Sequence, residues 1–483
     1  MPKIKNSVIK LLSSVLICIG LFLHLPAFVS YHYHEPHTFL FIFLGACTLI
    51  AGVVIASVFK RSDSLDFKFI ILTIVLGWLL TVLIGALPYV LSGAVTGPVD
   101  ALFESTSGFT TTGATILTDI ESMPLSILFW RSITHWLGGI GIIIIIIAFL
   151  PSFGTQSMQL FLTEVSGGPI NQKISPRVKK TALLLLAVYL SLTILQTIVL
   201  CFGGMGLYES LVHSLSTIST GGFSSRNASI GHYSSAFIQY TVIFFMFLSG
   251  INFIFYCRFI LGDRAAFVKN KEFRLYSVLL VLLTLIVTFD IWGKVYHSFE
   301  SALRAALFQV TSIMTTTGFI TADFDLWPNV SRNLLFFVMF TGGCVGSTTG
   351  SIKMVRVYVL LKTVWIELLR VVHPSIVKNI SVEGDRIPHV IVRRIIRFIC
   401  IYILTFCIGS TVMSFFGLDM VSAMSSTTAT LGNIGPGMGL VGASESYFFL
   451  PPLAKLFLSF LMLLGRLEII TVIITFTQFF WKS

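Results

Sequence analysis

The chain has 483 residues, 55% of them hydrophobic and only 11% charged, with a mean hydropathy of +0.92. A soluble chain of this length carries roughly twice that charge, so a water-soluble globular domain is excluded. The formal net charge of +11 is placed beside apolar runs rather than on a basic surface, which argues for membrane topology and against nucleic-acid binding.

The first apolar run, Ser7–Ser30, has a basic start in Lys3, Lys5 and Lys10. It is too long for the apolar region of a signal peptide, lacks a small-x-small cleavage site and is followed at once by a second span, so it reads as a retained helix. With Phe39–Val58 it forms a leading pair over residues 1–62. Four units then repeat one plan: an apolar run, a small-residue helical segment, a polar glycine-closed loop and a second apolar run. In residues 63–153 these are Phe69–Leu91, a segment from Ala101, SGFTTTGAT (Ser107–Thr115) and Ile127–Leu150. In 154–263 they are Ala182–Phe202, a segment from Ser210, STISTGGFS (Ser216–Ser224) and Phe237–Leu261. In 264–369 they are Leu275–Trp292, a segment from Ala306, SIMTTTGFI (Ser312–Ile320) and Leu334–Thr341. In 370–483 they are Val390–Phe415, a segment from Ala423, ATLGNIGPG (Ala429–Gly437) and Leu453–Phe480. Most runs meet the roughly 20 residues a bilayer crossing demands. The expectation is an all-α polytopic membrane protein: two leading helices, then four helix–loop–helix repeats around one pore.

Aligned on Gly113, Gly222, Gly318 and Gly435, the loops place Thr111-Thr112, Thr220-Gly221, Thr316-Thr317 and Asn433-Ile434 before the glycine. Irregular backbone at bilayer depth is tolerated only where protein surrounds it or water fills a cavity. Glycine permits the dihedrals needed to turn carbonyls inward, and four such segments around an axis can replace the water shell of an alkali cation. Threonine hydroxyls add an oxygen or tie neighbouring loops. The preceding short helices would aim their partially negative ends at the cation path. Outer-loop turns are the plainer reading, and they do not account for four matching copies. The fourth loop departs most, with Asn433-Ile434 and then Pro436, so the ring is expected to be unequal in detail.

Of the 32 lysines and arginines, 25 fall on one side of this topology, including nine positions from Lys353 to Arg397. Under the positive-inside rule both termini and the basic loops are cytoplasmic and the four glycine loops face outside. Asp100, Asp119, Glu121, Glu209, Glu300, Asp323, Asp325, Asp419 and Glu445 then lie outside against Arg226, Lys294, Arg304 and Arg332, a pattern expected to form an acidic vestibule. The seven cysteines mostly sit in spans with no CxxC pair, which fits small apolar side chains rather than metal or disulfide roles. His32, His34 and His37 read as a solvated loop before a metal site. No phosphate-cradling Gly-Lys-Ser/Thr run, GxSxG elbow or HExxH is present, so neither an enzyme nor a bound organic cofactor is expected.

Two further features carry mechanism. Thr341–Ser351 reads TGGCVGSTTGS, poor helix material where a span should continue. Gly342, Gly343, Gly346, Ser347, Thr348, Thr349 and Gly350, with Lys353 after them, are therefore expected to form an unwound, mobile constriction below the loops; a GxxxG packing face is the alternative. Arg466 lies inside the last apolar run, where an arginine is costly without a cavity or partner, and carbonyls of the 342–350 segment are its expected target. Arg131 reads as an interfacial anchor and His135 as packing. A secondary transporter of an organic solute would show inverted repeats and intramembrane acids; here the repeats start from one side, and no Asp or Glu is centred in a span.

TTTGAT (Thr110–Thr115), HSLSTISTGGFS (His213–Ser224), TTTGF (Thr315–Phe319), GGCVGSTTGSIK (Gly342–Lys353), LGNIGPGMG (Leu431–Gly439) and GRLE (Gly465–Glu468) together resemble the TrkH family, within the Trk/Ktr/HKT superfamily of potassium transporters. The likeness covers essentially the whole chain. It implies four M1–P–M2 repeats with the four aligned glycines as filter glycines, a pattern the family associates with potassium preference, and an intramembrane gating loop at Thr341–Ser351. It also implies a homodimer in a bacterial inner membrane and a cytoplasmic nucleotide-binding regulatory ring. Gly154–Thr181 and Glu367–Arg397, the longest polar stretches inside, are the expected docking surface. Passive flux and proton- or sodium-coupled symport are both compatible with these residues.

Overall fold

The computed structural model describes residues 6–59, 67–149, 178–263, 267, 270–375, 380–382 and 385–482. Among these the chain is helical apart from loops, a two-residue hairpin (Ser381–Val382 against Asp385–Arg386) and two isolated bridges. The two leading helices, α1 (Asn6–His32) and α2 (Thr38–Val58), lie against each other through glycines. A Cβ on Gly20 would press on the backbone of Leu49 and Gly45, and one on Gly52 on the backbone of Ile17. Small residues allow this approach where lipid offers no hydrophobic drive for helix pairing. The connection carries Glu35, whose carboxylate accepts Leu125 N–H at 2.5 Å and Ser126 N–H at 3.1 Å. It thereby caps the helix Leu125–Phe149 at its partially positive end.

Four short helices, Pro98–Phe109, Leu207–Ile218, Phe299–Met314 and Met420–Leu431, each follow a long helix and precede a second one. Their starts are marked locally: Pro98 follows Gly97, Ser298 accepts Ser301 N–H, and Asp419 accepts Val421 and Ser422 N–H. Their sides are buried although rich in Ser and Thr; in the fourth, Ser425, Ser426, Thr427, Thr428 and Thr430 are all inaccessible. Hydroxyls of this fourth helix return to backbone carbonyls a turn earlier, as Thr427 does to Ala423 and Thr430 to Ser426, so no water is needed there. Outward-facing apolar side chains such as Leu83, Val278 and Leu404 complete a surface suited to hydrocarbon.

Among the described residues, six helices are long and apolar enough to cross a membrane: the leading pair, Lys68–Leu91, Ala182–Phe202, Lys271–Ile291 and His389–Phe415. Leu125–Phe149 is one further 25-residue helix. Two apolar runs expected to be continuous are instead broken. Ala236–Ser249 meets Phe253–Ile260 at 89°, and Pro452–Arg466 meets Ile469–Thr475 at 115°. At the first break, Asn252 starts the new helix by accepting Ile254 N–H at 2.9 Å. At the second, Glu468 takes φ +63° and pairs with Arg356 at 2.9 Å. The corresponding helix of the third repeat stops at Val338 and resumes at Met354.

Candidate functional site

Each short helix ends in the same way. The residue after the cap, Thr111, Thr220, Thr316 or Asn433, is left-handed, with φ of 54°, 55°, 54° and 54°. Its N–H returns to a carbonyl three residues back, and the next N–H returns five back: Thr112 to Ser107 at 2.9 Å, Gly221 to Ser216, Thr317 to Ser312 and Ile434 to Ala429 at 2.8 Å. This is a Schellman ending, yet glycine, its usual residue, is absent from all four positions. A β-branched residue in this region is an outlier, and three occur at equivalent sites. Two residues on, Gly113, Gly222, Gly318 and Gly435 are also left-handed, at 77° to 100°.

These glycines close a ring. A Cβ on Gly113 would strike the carbonyl oxygen of Gly221, one on Gly222 that of Thr317, one on Gly318 that of Ile434, and one on Gly435 that of Thr112. The contacts run from the first repeat to the second, third, fourth and back to the first. All four glycines border one cavity of about 240 Å³. A hydrogen-bonded belt follows the same order: Arg131 to Ser224 O at 3.2 Å, Gly231 N to Ile320 O at 2.9 Å, Gly439 N to Asp325 Oδ2 at 2.9 Å, and Tyr447 N to Thr115 O at 2.9 Å.

Among the described residues, the carbonyls of Thr111, Thr112, Gly113, Thr220, Gly221, Gly222, Thr316, Thr317, Gly318, Asn433 and Ile434 accept no hydrogen bond. Their threonine, asparagine and isoleucine side chains are buried. Gly435 O alone is taken, by the Tyr447 hydroxyl at 2.9 Å. Buried carbonyls are ordinarily paired. Oxygens without donors, from four chain segments around one axis, can stand in for the water shell of a monovalent cation.

Beneath the ring lies the broken third-repeat segment. Gly342 N reaches Ile352 O at 2.8 Å and Cys344 N reaches Gly250 O at 2.8 Å. Glu272 Oε1 holds both ends, accepting Val345 N–H at 2.8 Å and Val355 N–H at 3.0 Å. The segment touches the ends of the short helices: Thr348 Oγ1 donates to Ile218 O at 3.1 Å, Gly350 N–H to Thr316 Oγ1 at 2.7 Å, and Gly350 packs against Gly432 O. Phe253 N–H meets Gly346 O, Gly343 N–H meets Thr349 Oγ1, and Ser347 and Thr349 hydroxyls pair. Lys353 Nζ donates to Thr349 O and Oγ1. Arg466 donates to Thr348 O at 2.8 Å and to Gly138 O at 2.8 Å, so one buried guanidinium joins the segment to the first repeat. The twelve loop residues thus come together in one ring, and the eight segment residues with Arg466 in one cluster under it.

Other expectations are corrected. Arg131 is no interfacial anchor: it is 1% exposed and bonded to Glu104, itself 0% exposed, at 2.8 Å. His135, by contrast, is packed as expected, its Nδ1 at 2.8 Å from Gly108 O and its Nε2 taking Phe223 N–H. The nine acids do not ring the mouth; of them only Glu445 borders the cavity among the described residues, beside Arg131 and Arg226. Ion pairs hold four of the others: Arg226 to Glu209 and Glu121, Arg304 to Glu300, Arg332 to Asp325. Lys455, not among the opposing bases expected there, takes Asp100 at 2.6 Å. Glu104, Gly138, Asn252, Glu272 and Tyr447 were not singled out by sequence. Glu104 gave the clearest signal, as a carboxylate nine residues before Gly113 in a segment otherwise apolar or hydroxylic. Of the expected docking loops, Gly154–Thr181 lies outside the described residues except for 178–181.

The family model for TrkH, described as a cation transport protein, matches residues 37–483. The chain belongs to the TrkH family. It is 38% identical over 408 residues to the Trk system potassium uptake protein TrkH of Halomonas elongata, covering 84% of each chain. It is 37% identical over 427 residues to the protein of that name in Escherichia coli K12, covering 88% of each. The crystal structure of the potassium transporter TrkH from Vibrio parahaemolyticus superposes with a TM-score of 0.90 at 34% identity, covering 99% of both chains. This TrkH-family chain is accordingly a membrane transport protein with pseudo-symmetric repeats.

Proposed function

We propose that the chain is the ion-translocating subunit of a potassium uptake system, with Thr111–Gly113, Thr220–Gly222, Thr316–Gly318 and Asn433–Gly435 as its selectivity filter. The observation that carries this reading is the closed ring of backbone carbonyls without donors around one cavity. Potassium is the transported ion, held by backbone oxygens that replace its water. No organic cofactor enters the scheme. The names of the relatives, potassium uptake proteins at 37% and 38% identity, support potassium as the substrate.

The 342–350 segment, with Lys353 and Arg466, is the gate. It lies across the ends of the short helices, and a fixed guanidinium beside the path opposes cation passage. The domain plan is the one read from sequence: a leading pair at 1–62, then pore repeats at 63–153, 154–263, 264–369 and 370–483. The subunit sits in a bacterial inner membrane, and charge bias supports both termini being cytoplasmic and the glycine cavity outside. A cytoplasmic nucleotide-binding partner opens the gate from the basic face, and the subunit works as a homodimer.

Growth of a potassium-uptake-deficient bacterium at low potassium tests the filter. The wild type should restore growth, and Gly113→Ser, Gly222→Ser, Gly318→Ser and Gly435→Ser should each impair it or admit sodium. Full rescue by all four variants without sodium entry would sink the assignment.

A further inference from the structure

Inside each short helix a polar side chain braces the strand that leaves the ring. In the second repeat His213 Nε2 meets Ser224 Oγ at 2.9 Å; in the third Gln309 Nε2 donates to Ala322 O at 3.2 Å; in the fourth Ser425 Oγ donates to Met438 O at 2.9 Å. None of these contacts joins a carboxylate to a guanidinium. The first repeat differs. Glu104 stands nine residues before Gly113, as His213 and Gln309 do before their glycines. Its carboxylate accepts the Thr115 hydroxyl at 2.9 Å, Ile116 N–H at 3.0 Å and Arg131 Nε at 2.8 Å.

Arg131 then leaves its own repeat. One terminal nitrogen donates to Ser224 O at 3.2 Å, and the guanidinium lies 4.0 Å from the Phe223 ring centre. Phe223 and Ser224 are the two residues after Gly222. The other three junctions of the belt are made by backbone N–H groups. Among the described residues, the first-to-second junction is the one whose donor is itself held by a fully buried ion pair, Arg131 with Glu104 inside the first repeat.

We propose that Arg131, fixed by Glu104, is a positioning residue for ion discrimination: it sets the spacing of the first two turns and keeps the ring from closing on an ion smaller than potassium. This rests on the filter reading above. The buried pair fixes the guanidinium in place, because losing one partner strands a charge in a medium that cannot solvate it. Its charge-assisted bond to Ser224 O is stronger than the neutral backbone-to-backbone bonds from Gly231 and Tyr447 at two of the other junctions. The planar fork of arginine engages the carboxylate, the carbonyl and the ring together, which lysine cannot do.

The test compares rubidium and sodium uptake in vesicles containing wild type, Arg131→Lys, and the double variant Glu104→Gln with Arg131→Met, which removes both charges while keeping the shapes. The double variant should carry rubidium within about threefold of wild type, with its rubidium-to-sodium ratio lowered about tenfold, equivalent to one lost charge-assisted bond. Arg131→Lys should fall between the two. A role confined to folding would reduce the amount of protein in the membrane and leave the ratio unchanged. A wild-type ratio in the folded double variant overturns the proposal; should that variant not fold, a wild-type ratio in Arg131→Lys does so. A wild type that itself shows no preference for rubidium overturns the filter reading, and this inference with it.

Discussion

Across the four turns the left-handed residue stays at φ 54° to 55°, and each closing glycine meets the next repeat's carbonyl. The four helices that follow share no such rule. The first runs unbroken from Leu125 to Phe149, the second bends by 89°, the third is unwound between Val338 and Met354, and the fourth bends by 115°. A site that surrounds one ion needs four equal oxygen sources, so its backbone is repeated even where the side chains differ. A constriction needs one element free to move against fixed neighbours, and divergence below the ring supplies it. Equality at the ring and inequality beneath it are thus complementary requirements on one set of duplicated segments.

The equality is broken most severely at a glycine. Gly318→Ala places a methyl against Ile434 O on a residue with φ +77°, adding backbone strain of about 1–3 kcal/mol to a collision. Rubidium uptake should drop about a hundredfold, which corresponds to roughly 2.7 kcal/mol of barrier. Gly262→Ala is the control: it has φ +100° and open space around it, so uptake should stay at the wild-type level. Equal losses from the two variants would mean that strain, not the ring contact, matters.

Next in size is release of the segment below. Arg466→Met removes both bonds that tie Thr348 O and Gly138 O together. Resting rubidium leak from loaded vesicles should rise about tenfold, the equivalent of roughly 1.4 kcal/mol, while the rubidium-to-sodium ratio remains unchanged. Shortening Gly342–Gly350 should produce the same leak. A changed ratio with unchanged leak would place Arg466 with the ring instead of the gate.

The contrast between the two regions also explains what the sequence disclosed. The turns were legible because left-handed backbone and close approach restrict residue choice, leaving Thr-Thr-Gly, Thr-Gly-Gly and Asn-Ile-Gly at matched distances. The gap at Gly342–Gly350 was legible because glycines and hydroxyls interrupted an apolar run. The bends after Ser249 and at Arg466 were not: Gly250-Ile251-Asn252 and Arg466-Leu467-Glu468 are too short to interrupt the apolar runs around them, and hydropathy reports the medium rather than the backbone path. Pairings such as Glu104 with Arg131 and Lys455 with Asp100 were hidden because sidedness assigns each charge to a face without assigning it a partner.

A smaller effect is expected where the ring and the segment meet. Thr316→Val keeps the β-branched shape but removes the hydroxyl that accepts Gly350 N–H at 2.7 Å. An unmet buried donor costs about 1–3 kcal/mol, here borne by the closed position of the segment. Leak should therefore rise severalfold, less than for Arg466→Met, with thermal stability lowered in parallel.

The smallest effect separates backbone equality from side-chain identity. Asparagine tolerates left-handed backbone better than threonine does, and the fourth turn already uses it. Thr111→Asn should thus preserve uptake within about twofold and relieve local strain of about 1 kcal/mol, raising the melting temperature slightly. The reciprocal Asn433→Thr should do the opposite. It puts a β-branched residue at φ 54° and loses amide bonds to Thr112 Oγ1 at 3.0 Å and Met462 O at 2.9 Å. If both substitutions lowered uptake equally, each turn would be specified by its own side chain, and the common backbone would be a consequence of four separate fits rather than the basis of the ring.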